Sequence, residues 1–183
     1  MGMVAPALYT AAMLRALPDD GKRYEVVSGE LLVTPAPRRV HQRAVGELGF
    51  LLRTGLQLVR DVEVLHSPAD IELEERTLVQ PDLFVTRRAP GEESFSWKAI
   101  DLVLVIEVLS ATTARYDRLT KRILYQRHGV EYWIVDLDGR VVERWRPGDE
   151  RPDIVAGTLE WQVPGSEQVC SINLEAFFSS VLS

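Results

Sequence analysis

Three groups of residues in this chain are of the right type and spacing to do chemistry together. Glu107 stands in the run Leu102–Leu109, where every other residue is aliphatic. Burying an unpaired carboxylate costs several kcal/mol or drives it to be protonated. The run keeps Glu107 either because a buried cation or a strand end compensates it, or because it holds a metal or acts as a catalytic carboxylate. Asp82 follows Gln80-Pro81 inside the strand-like stretch Leu78–Val85. Proline there implies a sheet edge or a bulge, and bulges re-aim side chains at active sites. Plain turn chemistry is the competing reading. At 100° per residue, Asp117, Lys121, Tyr125 and His128 share one arc of a helix over about Thr112–Arg127, with Tyr116, Leu119 and Ile123 opposite, as its core face. Arg115, Arg118 and Arg122 form a basic flank beside the polar arc. Asp117 and Lys121 alone read equally well as a surface i,i+4 ion pair.

The link Ser110-Ala111-Thr112 is short, so it brings the start of that helix back beside the strand end that carries Glu107. Two carboxylates and a lysine meeting at strand ends are the groups that phosphodiester hydrolysis needs. Carboxylates can hold Mg²⁺, which prefers oxygen ligands and keeps several waters, and Mn²⁺ can take its place. Bound metal lowers the pKa of a water and neutralises phosphate charge. A lysine can orient that water or stabilise the developing charge.

The secondary structure around these residues follows from periodicity and turn signals. Tyr24–Val27 and Glu30–Thr34 flank Ser28-Gly29 as a hairpin ended by Pro35 and Pro37. Val40 to about Leu58 has helical periodicity, with His41, Ala44, Val45, Leu48 and Leu52 on one face. Short strands follow over Val62–Leu65, Asp70–Leu73 and Leu78–Val85. Asp101–Leu109 reads as a central strand buried on both faces. Gly129 suits the C′ position of the long helix. Glu131–Asp136 and Arg140–Arg146 flank an Asp138-Gly139 turn. A last helix starts at Asn173, its N-cap, with Leu174, Phe177 and Phe178 inward. Trp133, Trp145 and Trp161 lie in strand-like runs as core or oligomer contacts. This order predicts one α/β (α+β) domain over 1–183 with a mixed sheet and few helices.

The chain has 183 residues, with 46% hydrophobic and 26% charged residues, ordinary values for a globular domain. The single cysteine, Cys170, cannot form an internal disulfide, and a reducing, cytoplasmic setting fits. No apolar run reaches the ~20 residues of a membrane span. The N-terminal stretch MGMVAPALYTAAMLRALPDD lacks a basic n-region and reads as a short opening helix ended by Leu17-Pro18-Asp19-Asp20-Gly21. The net charge of −6 excludes a surface that attracts nucleic acid as a whole, so binding would need a local basic patch.

The succession Gly29-Glu30-Leu31, His41, Pro81-Asp82, Asp101-Leu102-Val103, Ile106-Glu107-Val108-Leu109-Ser110, Asp117, Lys121, Tyr125, Gly129-Val130 and Glu131–Asp136 resembles the Uma-two family of the PD-(D/E)XK nuclease superfamily. The resemblance covers roughly Tyr24 to Trp145. It implies a restriction-endonuclease-like core, a central mixed β-sheet flanked by helices, spanning about 24–145; beyond it, the pattern of 150–183 reads as a C-terminal hairpin and helix. It implies a metal-dependent endonuclease acting on DNA. It carries Asp82 over as the aspartate of the PD motif and Glu107 as the acidic residue of the (D/E)XK motif. The lysine slot of that motif is Leu109, and Lys121 stands where such families supply the lysine from the next helix. His41, Asp117 and Tyr125 match the family pattern as accessory residues, and Glu47 sits where a first-helix acid can add an outer metal contact. Arg115, Arg118 and Arg122 are the candidate nucleic-acid contacts. A homodimer or higher homo-oligomer is expected, since C₂ dimers are the commonest assemblies and two sites suit two DNA strands. The alternatives are a nuclease-fold binding or assembly module that no longer cuts, and a hydrolase of RNA or small phosphate esters.

Overall fold

Ser28 and Gly29 both take positive φ, 51° and 87°, which makes the two-residue turn whose twist matches a hairpin. The strands it joins are β1 (Arg23–Val27) and β2 (Glu30–Thr34). This computed structural model describes residues 8–18, 20–34, 36–88 and 102–183, and the backbone of 96–98. Asp19, Pro35 and Asp101, and the first residues of the expected opening helix, lie outside the described residues. Within them α1 spans Ala11–Arg15 and packs Ala11 and Leu14 on Val26 and Leu78.

The other elements are α2 (Arg39–Gly55), β3 (Val62–His66), β4 (Asp70–Glu74), β5 (Thr77–Val79), β6 (Leu83–Arg87), β7 (Ser96–Lys98) and β8 (Leu102–Val108). A composite helix follows, in which α3 (Ala114–Tyr116) and α4 (Arg122–Arg127) flank a π-helical turn, Asp117–Lys121. Then come β9 (Glu131–Asp136), β10 (Val141–Trp145), β11 (Asp153–Val155), β12 (Thr158–Gln162), β13 (Val169–Asn173) and α5 (Leu174–Leu182). The described strands form a six-stranded sheet, β11-β10-β9-β8-β6-β3, a five-stranded sheet, β2-β1-β5-β4-β7, and the pair β12-β13. The six-stranded sheet is mixed, with β8 and β9 parallel and its other pairs antiparallel.

Leu104, Ile106 and Val108 face one core with α2, β12, β13 and α5. Val105 faces the other, with Phe84, Tyr125, Tyr132 and residues of the five-stranded sheet. β8 is therefore covered on both faces, as its aliphatic run predicts. The composite helix ends in a Schellman motif: Val130 N–H donates to Tyr125 C=O at 3.0 Å and Gly129 N–H to Gln126 C=O at 3.0 Å, with Gly129 at φ 69°. The Asn173 side chain caps α5 by accepting from Ala176 N–H at 2.9 Å. Trp133, Trp145 and Trp161 are buried. Gly55 is needed because α2 there lies against Cys170, leaving no room for a Cβ. Among the described residues no helix is long and apolar enough to cross a membrane.

Two expectations fail. Leu78–Val85 is two strands in different sheets: β5 ends before Gln80-Pro81-Asp82, and β6 begins after it. Proline cannot donate to a ladder, so the chain changes sheet there. The Asp138-Gly139 turn of the β9–β10 hairpin is present: the positive φ falls on Arg140, at 52°, and Asp136 accepts from Gly139 N–H at 2.8 Å, which holds the turn. Second, the composite helix faces the opposite way. Asp117, Lys121 and Tyr125 point inward and are buried, while Leu119 and Ile123 are exposed.

Candidate active site

The break at Gln80-Pro81-Asp82 leaves Asp82 at the foot of β6, beside the end of β8. Backbone bonds lock the two acidic positions to each other. Val108 N–H donates to Asp82 Oδ2 at 2.9 Å, and Asp82 N–H reaches Glu107 Oε2 at 3.4 Å. Each carboxylate thus sits on an N–H of the neighbouring strand's end. Glu107 is one residue beyond Ile106 and so points to the same face as Val105, toward the composite helix.

Ser110 starts the return. Its C=O accepts from Thr113 N–H and Ala114 N–H, and this tight turn sets the helix over the strand end. The π turn follows at once; such bulges are frequent at functional sites. It carries Asp117 and Lys121, both buried. Lys121 Nζ lies 2.8 Å from Glu107 Oε1, 3.0 Å from Glu25 Oε1 and 3.8 Å from Asp117 Oδ1.

Asp82 is held from the other side. Arg23 Nη1 donates to its Oδ1 at 2.9 Å, and His41 Nε2 lies 2.9 Å from its Oδ2. His41 comes from the first turn of α2. Burial alone would raise the Asp82 pKa, but the His41 hydrogen bond, the Arg23 charge and the Val108 N–H outweigh it, so the carboxyl is held below its ordinary range. Glu107 goes the other way. Burial pushes it well above the usual range, and Asp82, Asp117 and Glu25 add to this against the pull of Lys121. Asp117 is raised, by burial first. Burial opposes the charge on Lys121, but Glu107 and Glu25 overcome it and keep the ammonium protonated.

These side chains line one cavity of about 460 Å³, closed by the start of α2, the β8–α3 link and the β9–β10 turn. The structure thus brings together Asp82, Glu107, Lys121, His41 and Asp117. Tyr125 is fully buried behind Lys121, with its hydroxyl unpartnered among the described residues. Glu47 is half-buried on α2 and does not line the cavity. Of the basic flank, Arg115 is exposed. Arg118 lines the cavity but is paired with Asp136 at 2.9 Å and Glu143 at 2.6 Å. Arg122 stacks over Trp145 at 4.6 Å and donates to Gln126.

Arg23 and Glu25 were missed in the sequence. Their signal is alternation: in β1 they share a face with Val27, which packs in the core, so two charged residues there point inward.

The arrangement suits a divalent cation. Four buried acidic side chains, Glu25, Asp82, Glu107 and Asp117, meet two obligate cations, Arg23 and Lys121, so with all four ionised two negative charges are in excess. Among the described residues no three His, Cys, Asp or Glu side chains are set to hold one metal. A two-carboxylate set completed by water is what Mg²⁺ accepts and what zinc, with three or four protein ligands, does not.

Residues 11–175 match Uma2, a family described as putative restriction endonucleases. Among solved structures, a putative nuclease belonging to DUF820 from Anabaena variabilis has the same fold, with a TM-score of 0.77 over 94% of this chain and 99% of that one, at 18% identity. No curated protein matches. With most of its length, from α1 to the start of α5, inside the family match, the chain belongs to the Uma2 family.

Proposed function

We propose that the protein is a divalent-metal-dependent endonuclease that hydrolyses phosphodiester bonds in DNA, with Asp82 and Glu107 as metal ligands and Lys121 as the third catalytic residue. The carrying observation is the convergence of two buried carboxylates and a buried lysine in one cavity that has excess negative charge. Family membership supports nuclease chemistry.

Bound Mg²⁺ or Mn²⁺ would supply an acidified water and charge neutralisation at the phosphate. Asp82 is ionised and oriented by three donors, two on Oδ2 and Arg23 on Oδ1, so a metal would bind through Oδ1 beside Arg23. Lys121 brings a positive charge to Glu107 and to the space in front of it, where it can orient the attacking water or stabilise the phosphate's added charge. His41 keeps Asp82 oriented and itself lines the cavity. Arg115, and Arg38 at the cavity rim, are exposed cations for the DNA backbone. Arg118 and Arg122 of the same flank would have to leave their internal partners to join them. A homodimer would place one site on each strand; light scattering at tens of micromolar protein tests that assembly.

The deciding experiment is calorimetric titration of Mg²⁺ and Mn²⁺ into wild type and Glu107→Ala, beside a cleavage assay on DNA and RNA. Metal binding that needs Glu107, with DNA cleavage, is expected. Metal binding indifferent to Glu107 would remove the metal site. Metal binding without cleavage of any nucleic acid would leave a nuclease-fold binding module, for which the full set of protein donors around Asp82 already speaks. Cleavage of RNA alone would move the substrate class.

A further inference from the structure

Arg23 and Glu25 bracket Gln80, the residue just before the sheet-changing proline. Gln80 N–H donates to Glu25 Oε1 at 2.7 Å, and its C=O accepts from Arg23. Gln80 lies past the end of β5, where ladder bonding stops. The two side chains therefore take up backbone groups that the proline break leaves without a strand. The same two residues reach on into the cavity: Arg23 to Asp82 at 2.9 Å, and Glu25 to Lys121 at 3.0 Å.

Glu25 is 2% exposed, so its carboxylate has no bulk water to satisfy it. The oxygen that accepts from Gln80 N–H also faces Lys121 Nζ. A lysine has four rotatable carbons and a point charge, so one carboxylate does not fix its direction. Two carboxylates on different strands do. Glu107 holds Lys121 from β8, Glu25 holds it from β1, and the latter is anchored by a backbone N–H.

We propose that Glu25 is a positioning residue of the active site: its anchored carboxylate, opposite Glu107, aims the Lys121 ammonium into the cavity. Its consequence for catalysis rests on the reading of Lys121 as a catalytic group. Its consequence for the geometry of Lys121 does not, and the two are measured separately.

The chain has three lysines, Lys22, Lys98 and Lys121. In protein labelled with ¹³C-lysine, the signal lost in Lys121→Met identifies Lys121. A side chain held in one rotamer shows two inequivalent Hε protons, whereas one averaging over rotamers in picoseconds to nanoseconds shows them merged. Glu25→Gln keeps the shape and an acceptor for Gln80 N–H but removes the charge. The expected result, in the metal-free protein, is inequivalent Hε protons in wild type and merged ones in Glu25→Gln. In cleavage assays kcat should fall by roughly 10²-fold, the scale of a misplacement of about 1 Å, with KM unchanged. Glu25→Asp, which keeps the charge but withdraws it, should fall between the two on both readouts.

A folded Glu25→Gln with wild-type Lys121 signals and kcat would overturn the proposal, even if its melting temperature is lower, because that is all a purely structural role would change. Should Glu25→Gln not fold, Glu25→Asp decides: unchanged Lys121 signals and kcat overturn it. If the wild type cuts nothing, the nuclease reading fails by itself, and the Hε signals still report whether Glu25 holds Lys121.

Discussion

Asp82 and Glu107 stand at the ends of neighbouring strands and touch through their backbone groups, yet their surroundings are opposite in kind. The Asp82 carboxylate has as partners Arg23, His41 and the Val108 N–H, all donors. Glu107 stands among Asp82, Asp117 and Glu25, with Lys121 as its cation. The first is a satisfied anion. The second is one of several anions sharing a single ammonium. One half of the site is complete in the protein alone, and the other half is short of positive charge. That asymmetry makes a cation a natural occupant and places the sensitivity to metal and pH on the Glu107 side.

The sharpest way to break this comparison is by rate. Asp82→Ala and Glu107→Ala should each lower DNA cleavage by roughly a thousandfold or more, matching the several kcal/mol a metal centre supplies. Activity surviving in either variant would show that the two halves do not serve one centre. Next in size is Lys121→Met. Removing a buried ion-pair partner leaves buried charge uncompensated and costs about 3–5 kcal/mol. Here three carboxylates lose their cation at once. Urea melts at pH 8 should show that loss, and Mg²⁺ should recover part of it. A loss under about 1 kcal/mol, the scale of an exposed pair, would mean that Lys121 is solvated in solution.

Asp82, Glu107 and Lys121, which share the cavity, stand out in the sequence because each violates the pattern around it: an aspartate after a strand-breaking proline, a carboxylate in an aliphatic run, a lysine in step with an aspartate. Periodicity alone turns the helix arc outward, since polar residues ordinarily face solvent. The physics that reverses it is the cavity itself: carboxylates buried at strand ends draw the Lys121 face inward, and Leu119 and Ile123 are left outside. Arg23 and Glu25 escaped notice because a hairpin with charges at alternate positions looks half-solvated. Only the packing of Val27 into the second core shows that the Arg23–Glu25 face of β1 is covered too. The hairpin turn and both helix caps were readable because single residues, Gly29, Gly129 and Asn173, suffice to make them. The pairing of β1 with β5 and the parallel β8–β9 contact depend on long-range docking that no local pattern encodes.

The smallest predicted effect is the most discriminating. In Glu107→Gln, Lys121 keeps Glu25 at 3.0 Å, so no cation is stranded. Loss of one anion from a crowded site should then leave the metal-free protein as stable as wild type, or more stable by about 1 kcal/mol. The pH dependence gives the sign a second time. Glu107 has a folded-state pKa raised above its unfolded value of about 4.3. Between those two values the folded protein binds more protons than the unfolded chain, so stability falls as pH rises through that window. Asp82 is lowered, so its contribution is fully present above about pH 3.9 and is lost only under stronger acid. Metal-free wild type should therefore lose stability from about pH 5 upward, with Asp117, also raised, adding to the slope. Glu107→Gln should flatten that slope without changing the loss in strong acid. Millimolar Mg²⁺ should raise the wild-type melting temperature, more at pH 8 than at pH 6, and hardly move the variant, since only the folded form binds it. Melts of both proteins across pH, with EDTA and with Mg²⁺, measure all of this. A Glu107→Gln protein destabilised by about 3–5 kcal/mol and blind to Mg²⁺ would show that Glu107 chiefly neutralises Lys121, and the two halves of the site would then be alike.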